Sequence, residues 1–228
     1  MIQTQNLSKA YSPGRPVLEH LSFAAHPGEL TLLVGANGVG KSTTLRILSG
    51  LTRPDGGDAF VAGKSLRHAR LEAQRHLSYL PQQIAFHPRL SCEAVLDFYA
   101  RLRGIGNRAA CVAERLRLVG LEPEARKRSH ALSGGLRQRL GLAVLLLPDA
   151  PVLLLDEPGL SLDPEWRERL KEILQAEARQ GKTVVLATHL LAEWEGVADR
   201  ALHFRPGGAV EEIDPSRLQA VFSAGSNP

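Results

Sequence analysis

The chain has 228 residues, which at about 150 residues per domain is one domain, or one domain with a sizeable insertion. Its 43% hydrophobic and 23% charged residues are ordinary globular proportions and exclude wholesale disorder. A net charge of +4 admits an acidic or phosphate-bearing partner but is too mild to point to nucleic acid, and two cysteines, Cys92 and Cys111, make neither a disulfide framework nor a zinc site. A reducing compartment fits that cysteine usage. Met1 to Leu7 has no basic and apolar leader pattern, and the longest apolar run, Leu140 to Leu147, stops at Pro148 and Asp149, far short of the roughly 20 residues that span a bilayer. Any work at a membrane is therefore expected to run through another chain.

In chain order, Glu29 to Val34 is apolar and β-branched enough for a buried strand. It runs into a glycine-rich turn, Gly35 to Gly40, and then a helical pattern from Ser42 to Leu48. Ala59 to Ala62 and Leu77 to Leu80 are short strand candidates, so the first third reads mainly as strand. From Ser91 to about Gly120 the period turns helical. Val95, Phe98, Tyr99 and Leu102 share one face of a first helix, and Val112, Leu116 and Val119 one face of a second. Gly104-Ile105-Gly106-Asn107 separates the two, and a basic, polar segment, Glu122 to His130, follows. Val152 to Leu155 reads as a parallel strand buried on both faces and ending in Asp156-Glu157-Pro158. Pro164 to Gln180 reads as a helix with Trp166, Leu170, Ile173 and Leu174 on one face and Gly181 as its stop. Thr183 to Ala187 is another buried strand, and this strand–helix–strand order predicts a crossover in a mostly parallel sheet. Ser223 to Pro228 reads as a frayed tail.

Gly35-Ala36-Asn37-Gly38-Val39-Gly40-Lys41-Ser42 fits G-x-x-x-x-G-K-[ST], with the preceding strand and following helix that the pattern requires. Its glycines let backbone N–H groups turn inward around phosphate oxygens, and the helix N-terminus adds a favourable dipole. Lys41 reaches the β- and γ-phosphates, and Ser42 can ligate Mg²⁺. A plain glycine-rich turn beside a lysine leaves the flanking elements unexplained. Asp156 and Glu157 tip an apolar strand, where a carboxylate needs a cation or a hydrogen-bond partner. Asp156 is expected to hold Mg²⁺ and Glu157 to act on the attacking water as general base. Alone, the pair reads equally well as two solvated acids; the phosphate loop decides for catalysis.

Leu132-Ser133-Gly134-Gly135-Leu136-Arg137-Gln138-Arg139 resembles the signature motif of ATP-binding-cassette (ABC) ATPases. Tyr11 resembles that family's adenine-stacking aromatic, and Gln82 in Tyr79-Leu80-Pro81-Gln82 its Q-loop glutamine. Ser161-Leu162-Asp163 resembles the D-loop and Thr188-His189 the switch histidine. Singly, Tyr11 would be a surface aromatic, Gln82 a solvated amide, His189 a satisfied polar residue and Ser133-Gly134-Gly135 a capped helix start. Their family order is what lends them roles. Three positions depart from the family pattern: Leu136 stands where a glutamine is usual, Gly159 where a threonine follows Asp-Glu-Pro, and Ser161 where a glycine precedes Leu162.

The resemblance implies an α/β P-loop NTPase of ABC type: a mostly parallel sheet core, an N-terminal antiparallel β region and a helical insertion. It implies a single domain over residues 1–228, with a RecA-like core at about 1–83 and 148–215, a helical subdomain at about 84–147 and a short tail. It implies ATP and Mg²⁺ as cofactors. Tyr11 and Gly35, Ala36, Asn37, Gly38, Val39, Gly40, Lys41, Ser42 and Thr43 would hold the nucleotide. Ser42, Gln82 and Asp156 would hold the metal, and Glu157, His189 and Gln82 would act in catalysis. Ser133, Gly134, Gly135 and Asp163 would reach the nucleotide of a second copy, in a head-to-tail homodimer. The other implied partner is an integral-membrane permease, received in a groove beside Gln82 and the insertion Ile84 to Arg103, including Phe86 and His87. No nucleic acid is expected, and the implied location is cytoplasmic, on the inner face of the cell membrane.

Gln138 to Ala143 resembles export-type, ABC-2-like subunits. Ala85 to Leu90 and Phe98 to Gly104 are similar to the ATPase of the copper-processing system that matures nitrous-oxide reductase. Multidrug, haem and polysaccharide exporters are the other export readings. A reading of another class is a soluble ABC ATPase of DNA repair or translation. The stretch between phosphate loop and signature holds two short helices rather than a long coiled coil, and the chain carries one cassette. A regulator that binds nucleotide without turnover is a third reading, and Glu157 argues against it.

Overall fold

A computed structural model describes residues 1–205 and 209–218; the segment Ser223 to Pro228 lies outside the described residues. β1 (Ile2–Ser12) and β2 (Arg15–Leu21) form an antiparallel hairpin, and β3 (Ala24–Ala25) pairs with the start of β1. β4 (Leu30–Val34) leads through the phosphate loop into α1 (Lys41–Leu48). β5 (Gly56–Val61) returns to pair with β1, and β6 (Lys64–Ser65) extends that antiparallel sheet. α2 (Arg70–Arg75) and β7 (Leu77–Leu80) follow, then α3 (Cys92–Leu102), α4 (Arg108–Leu118) and α5 (Gly134–Leu146). The chain then runs through β8 (Val152–Asp156), α6 (Pro164–Arg179), β9 (Thr183–Ala187), α7 (Leu191–Trp194), β10 (Arg200–Phe204) and β11 (Val210–Ile213).

The second sheet has the order β11-β10-β4-β9-β8-β7. It is parallel from β10 to β7, with β11 antiparallel at the edge. Every residue of β4, β8 and β9 is buried, as strands covered on both faces must be. The pleat sends alternate side chains to two cores. Leu153 and Leu155 pack with Leu140 of α5 and Leu170 and Leu174 of α6. Val152 and Leu154 pack with Leu45 and Leu48 of α1 and with Ile2 and Leu7 of β1. The helix that carries the phosphate loop is thereby wedged between the two sheets, touching β5 on one side and β8 and β9 on the other.

α6 follows the sequence expectation closely. Asp163 caps it by accepting from the Trp166 N–H, Pro164 opens it, and Gly181 takes φ +90° just past its end. α3 corrects the reading. The expected face held Val95, Phe98, Tyr99 and Leu102, but Phe98 and Leu102 are 53% and 69% exposed. The buried stripe runs through Cys92, Val95, Leu96 and Ala100, with Tyr99 packed beside it. Small Cys92 and Ala100 serve where α3 packs against α4 and α5, so apolar size misjudges the phase of the helix. Phe98 instead meets the Tyr99 ring edge-on, with centroids 5.4 Å apart. α2, in the stretch read mainly as strand, was not foreseen; with six residues it is too short for a periodic signal.

Candidate functional site

Strand order brings four chain segments to one rim. The phosphate loop follows β4, His189 follows β9, Asp156 and Glu157 close β8, and Gln82 follows β7; these four strands are successive neighbours. Parallel neighbours lie about 4.8 Å apart, so side chains from all four reach one crevice beyond their carboxyl ends. A cavity of about 310 Å³ lies there, lined by Asn37, Gly38, Gly40, Lys41, Ser42, Thr43, Gln82 and Glu157.

The loop backbone explains two of its glycines. A Cβ at Gly35 would stand 2.5 Å from the Phe204 carbonyl oxygen. At Gly40, with φ +105°, it would stand 2.5 Å from Leu18 Cδ2 and 3.0 Å from the Val17 carbonyl oxygen. The loop is thus clamped between β10 and β2, two elements remote in sequence. Ala36, Asn37 and Gly38 are exposed at its crest, while Val39 is buried beneath. No side chain caps α1, so its first-turn amides remain for an anion.

Lys41 is buried and curls back, donating to the carbonyls of Gly35 at 2.7 Å and Ala36 at 2.9 Å. Burial pushes its pKa down, opposed by the charges of Glu157 and Asp156. Ser42 Oγ donates to Asp156 Oδ1 at 3.0 Å. Burial pushes the Asp156 carboxyl up, and the Ser42 bond opposes that shift. A buried carboxylate in that condition fits a cation. The hydroxyl of Ser42, the carboxylate of Asp156 and the carboxamide of Gln82 all offer the oxygen that Mg²⁺ prefers, so these residues would fit that ion. Among the described residues no group of three or more His, Cys, Asp and Glu side chains is placed to hold a metal ion.

Glu157 takes φ +51°, a left-handed conformation unusual for glutamate, and its N–H donates to the Ala187 carbonyl at 2.9 Å. This turn aims the carboxylate at the cavity and at His189. Nδ1 of His189 lies 2.9 Å from Glu157 Oε1, and the His189 backbone N–H donates to Oε2 at 3.4 Å.

Lys41, Ser42, Gln82, Asp156, Glu157 and His189 therefore come together. Tyr11 does not line the cavity; it stands 57% exposed near the end of β1, with the Lys9 ammonium 5.6 Å from its ring centroid. Ser133, Gly134, Gly135 and Asp163 form a second cluster. Ser133 caps α5 by accepting from the Leu136 N–H, and Asp163 caps α6. A Cβ at Gly135 would lie 2.9 Å from the Ser161 carbonyl oxygen, so the signature turn rests on the D-loop turn.

Arg139 closes the signature motif, and the sequence assigned it no role. Its guanidinium lies 3.8 Å over the Trp166 ring, and it donates to the carbonyls of Val119, at 2.8 Å, and Gly120. One side chain thus joins α5, the end of α4 and the start of α6. The contact spans distant segments and has no local pattern to announce it.

The family model described as ABC transporter matches residues 18–159, a stretch that holds the phosphate loop, Gln82, the signature and Asp156-Glu157. The chain belongs to the ABC transporter family. It is 32% identical over 202 residues to the linearmycin resistance ATP-binding protein LnrL of Bacillus subtilis (strain 168), covering 88% of this chain and 65% of that protein. It is 35% identical over 219 residues to the Nod factor export ATP-binding protein I of Burkholderia pseudomallei (strain 1710b), covering 95% and 72%. With the human phospholipid-transporting ATPase ABCA3 it shares 34% over 205 residues, 87% of this chain but only 12% of that far longer protein. An ATP-binding subunit of an ABC transporter superposes with a TM-score of 0.86 at 28% identity, over 97% of this chain and 93% of the other. A dimeric ATP-binding cassette in a post-hydrolysis state, bound to ADP and Pi, superposes with a TM-score of 0.85 at 25% identity, over 94% and 99%. The ABC-type α/β P-loop fold expected from the sequence is the fold these neighbours share.

Proposed function

We propose that this chain is the ATP-binding and ATP-hydrolysing subunit of an export-type ABC transporter. The observation that carries the reading is the convergence of Lys41, Ser42, Asp156, Glu157 and His189 at one rim of the parallel sheet. The loop amides and Lys41 hold the phosphates, and exposed Tyr11 offers its ring to adenine. Ser42, Asp156 and Gln82 hold Mg²⁺. When bound, that ion would supply positive charge against the negative charge that develops on the transferred phosphoryl group. Glu157 takes the proton of the attacking water, His189 steadies that carboxylate and donates toward the γ-phosphate, and Gln82 orients the water. Phosphate release from ATP by the purified chain should stop when the divalent ion is chelated. Release that continues in chelator would remove Ser42, Asp156 and Gln82 from metal binding.

In the same reading, residues 1–83 and 148–215 are the nucleotide core and 84–147 the subdomain that carries the signature. Ser133, Gly134, Gly135 and Asp163 complete the nucleotide site of a second copy, head to tail. A γ-phosphate gripped from both sides favours the closed dimer, and hydrolysis removes that differential affinity. The dimeric ADP- and Pi-bound cassette supports the arrangement.

Among the described residues no helix is long and apolar enough to cross a membrane. In this reading a permease supplies the spans and this chain lies on its cytoplasmic face. A groove of about 370 Å³ beside the Q-loop, lined by Pro81, Ile84, Phe86, Tyr99 and Arg103 among others, is the proposed dock. Phe86 is half-buried on its wall. Phe86→Asp should spare basal ATPase and weaken co-purification with the co-expressed permease, because an unpaired charge buried at an interface is costly. Equal recovery by wild type and variant would move the dock elsewhere.

The printed names of the linearmycin-resistance and Nod-factor-export relatives support export. For the cargo, the likeness of Ala85 to Leu90 and Phe98 to Gly104 favours the copper-processing system of nitrous-oxide reductase maturation. A neighbouring permease gene of that system would support this assignment, and one of drug- or lipid-export type would replace it.

A further inference from the structure

Two segments flank the Glu157 carboxylate: the turn from Pro158 to Asp163 that leaves it, and the stretch from Thr188 to Trp194 that brings His189 to it. One arginine ties them together. Arg167, in the first turn of α6, donates its Nε–H to the Leu162 carbonyl at 2.9 Å, and its Nη1 pairs with Glu193 Oε1. Glu193 sits in α7, which is wound directly onto the histidine turn. The Glu193 N–H donates to the Leu190 carbonyl at 3.2 Å, and the Leu190 N–H to Thr188 Oγ1 at 3.1 Å. On its other side Glu193 lies against the turn leaving the base, because a Cβ at Gly159 would stand 3.9 Å from Glu193 Oε2.

α7 has four residues and no side-chain cap, so it has little stability of its own. It is held by the buried Trp194, by Leu191 packed against the core, and by the Arg167–Glu193 pair. The two side chains of the pair are 31% and 24% exposed, which shields them more than an open surface pair. Neither residue lines the nucleotide cavity.

We propose that Arg167 and Glu193 are a positioning pair that holds His189 against the Glu157 carboxylate and fixes the turn on its far side. Loss of the pair lets α7 swing and carries His189 off the carboxylate, while the phosphate loop and Lys41 stay in place. The inference rests on Glu157 being the general base.

The test is single-turnover phosphate release by the full chain carrying Glu193→Gln, with ATP affinity and thermal midpoint measured in parallel. The rate should fall roughly tenfold to a hundredfold, the loss expected from misplacing a reacting group by about 1 Å. ATP affinity should stay within about twofold of wild type. Placed in a His189→Ala background, Glu193→Gln should remove little more, because the pair acts through the histidine. A merely structural role would lower the rate in step with stability and add its full loss in that background. Either that additivity or an unchanged rate in Glu193→Gln would overturn the proposal. Arg167→Lys, which keeps the charge but loses the fork to Leu162 and Glu193, carries the same cycle should Glu193→Gln not fold. Undiminished turnover in Glu157→Gln would instead remove the general base itself, a distinguishable failure.

Discussion

Glu157→Gln should keep ATP bound and lower turnover by about 10²-fold or more, the range that a positioned general base contributes. The substitution preserves shape and removes the proton acceptor, with its negative charge and one of the two oxygens that face His189. The backbone N–H of Glu157 still bonds to Ala187, and the left-handed turn is unchanged in its demands. The phosphate loop and the Ser42–Asp156 bond do not depend on the acid. With hydrolysis stopped and binding retained, the nucleotide-bound state should accumulate, and gel filtration with ATP should find a dimer that the wild type loses as it turns over. Unchanged turnover would sink the assignment. Lost ATP binding would mean that the carboxylate supports the cavity rather than the chemistry.

Lys41→Ala should fail one step earlier, in binding. The ammonium is buried, and its present partners are two loop carbonyls that a phosphate would join or replace. Burial lowers its pKa and the charges of Glu157 and Asp156 oppose that shift, and the same burial means it meets an anion already stripped of much of its water. Losing a hydrogen bond to a charged group costs about 1.5–3 kcal/mol, or roughly tenfold to more than a hundredfold in affinity. Calorimetry with ATP and Mg²⁺ reads this directly, and wild-type affinity in the variant would contradict the phosphate-loop role.

The two variants probe what the sequence already made legible. The phosphate loop and the Asp156-Glu157 tip are contiguous patterns bounded by buried strands, and a local pattern can be read from one chain. Their meeting at one rim was less legible, since it depends on β9 lying between β4 and β8 in the sheet. No periodicity in Thr183 to Ala187 announces that order. The phase of α3 was misread because Cys92 and Ala100, small residues, mark its packed face better than Phe98 and Leu102 do. Arg139 over Trp166 and Arg167 beside Glu193 were not foreseen at all. Each pairs side chains more than twenty residues apart, and an arginine carries no mark of which distant aromatic or acid it will meet. The sequence assigns the glycines of the loop to cradling phosphate. The structure adds a second reason for two of them, the close approach of Phe204 to Gly35 and of Leu18 to Gly40.

The central claim is that two copies of this chain hydrolyse ATP together at the rim built from Lys41, Ser42, Asp156 and Glu157. The most direct measurement is the initial rate of phosphate release from ATP with Mg²⁺ at a series of dilute chain concentrations, for wild type and Glu157→Gln side by side. The rate per chain should rise with chain concentration as copies pair, and the variant should stay near zero throughout. A wild-type rate per chain that is independent of concentration and equal to that of the variant would contradict it.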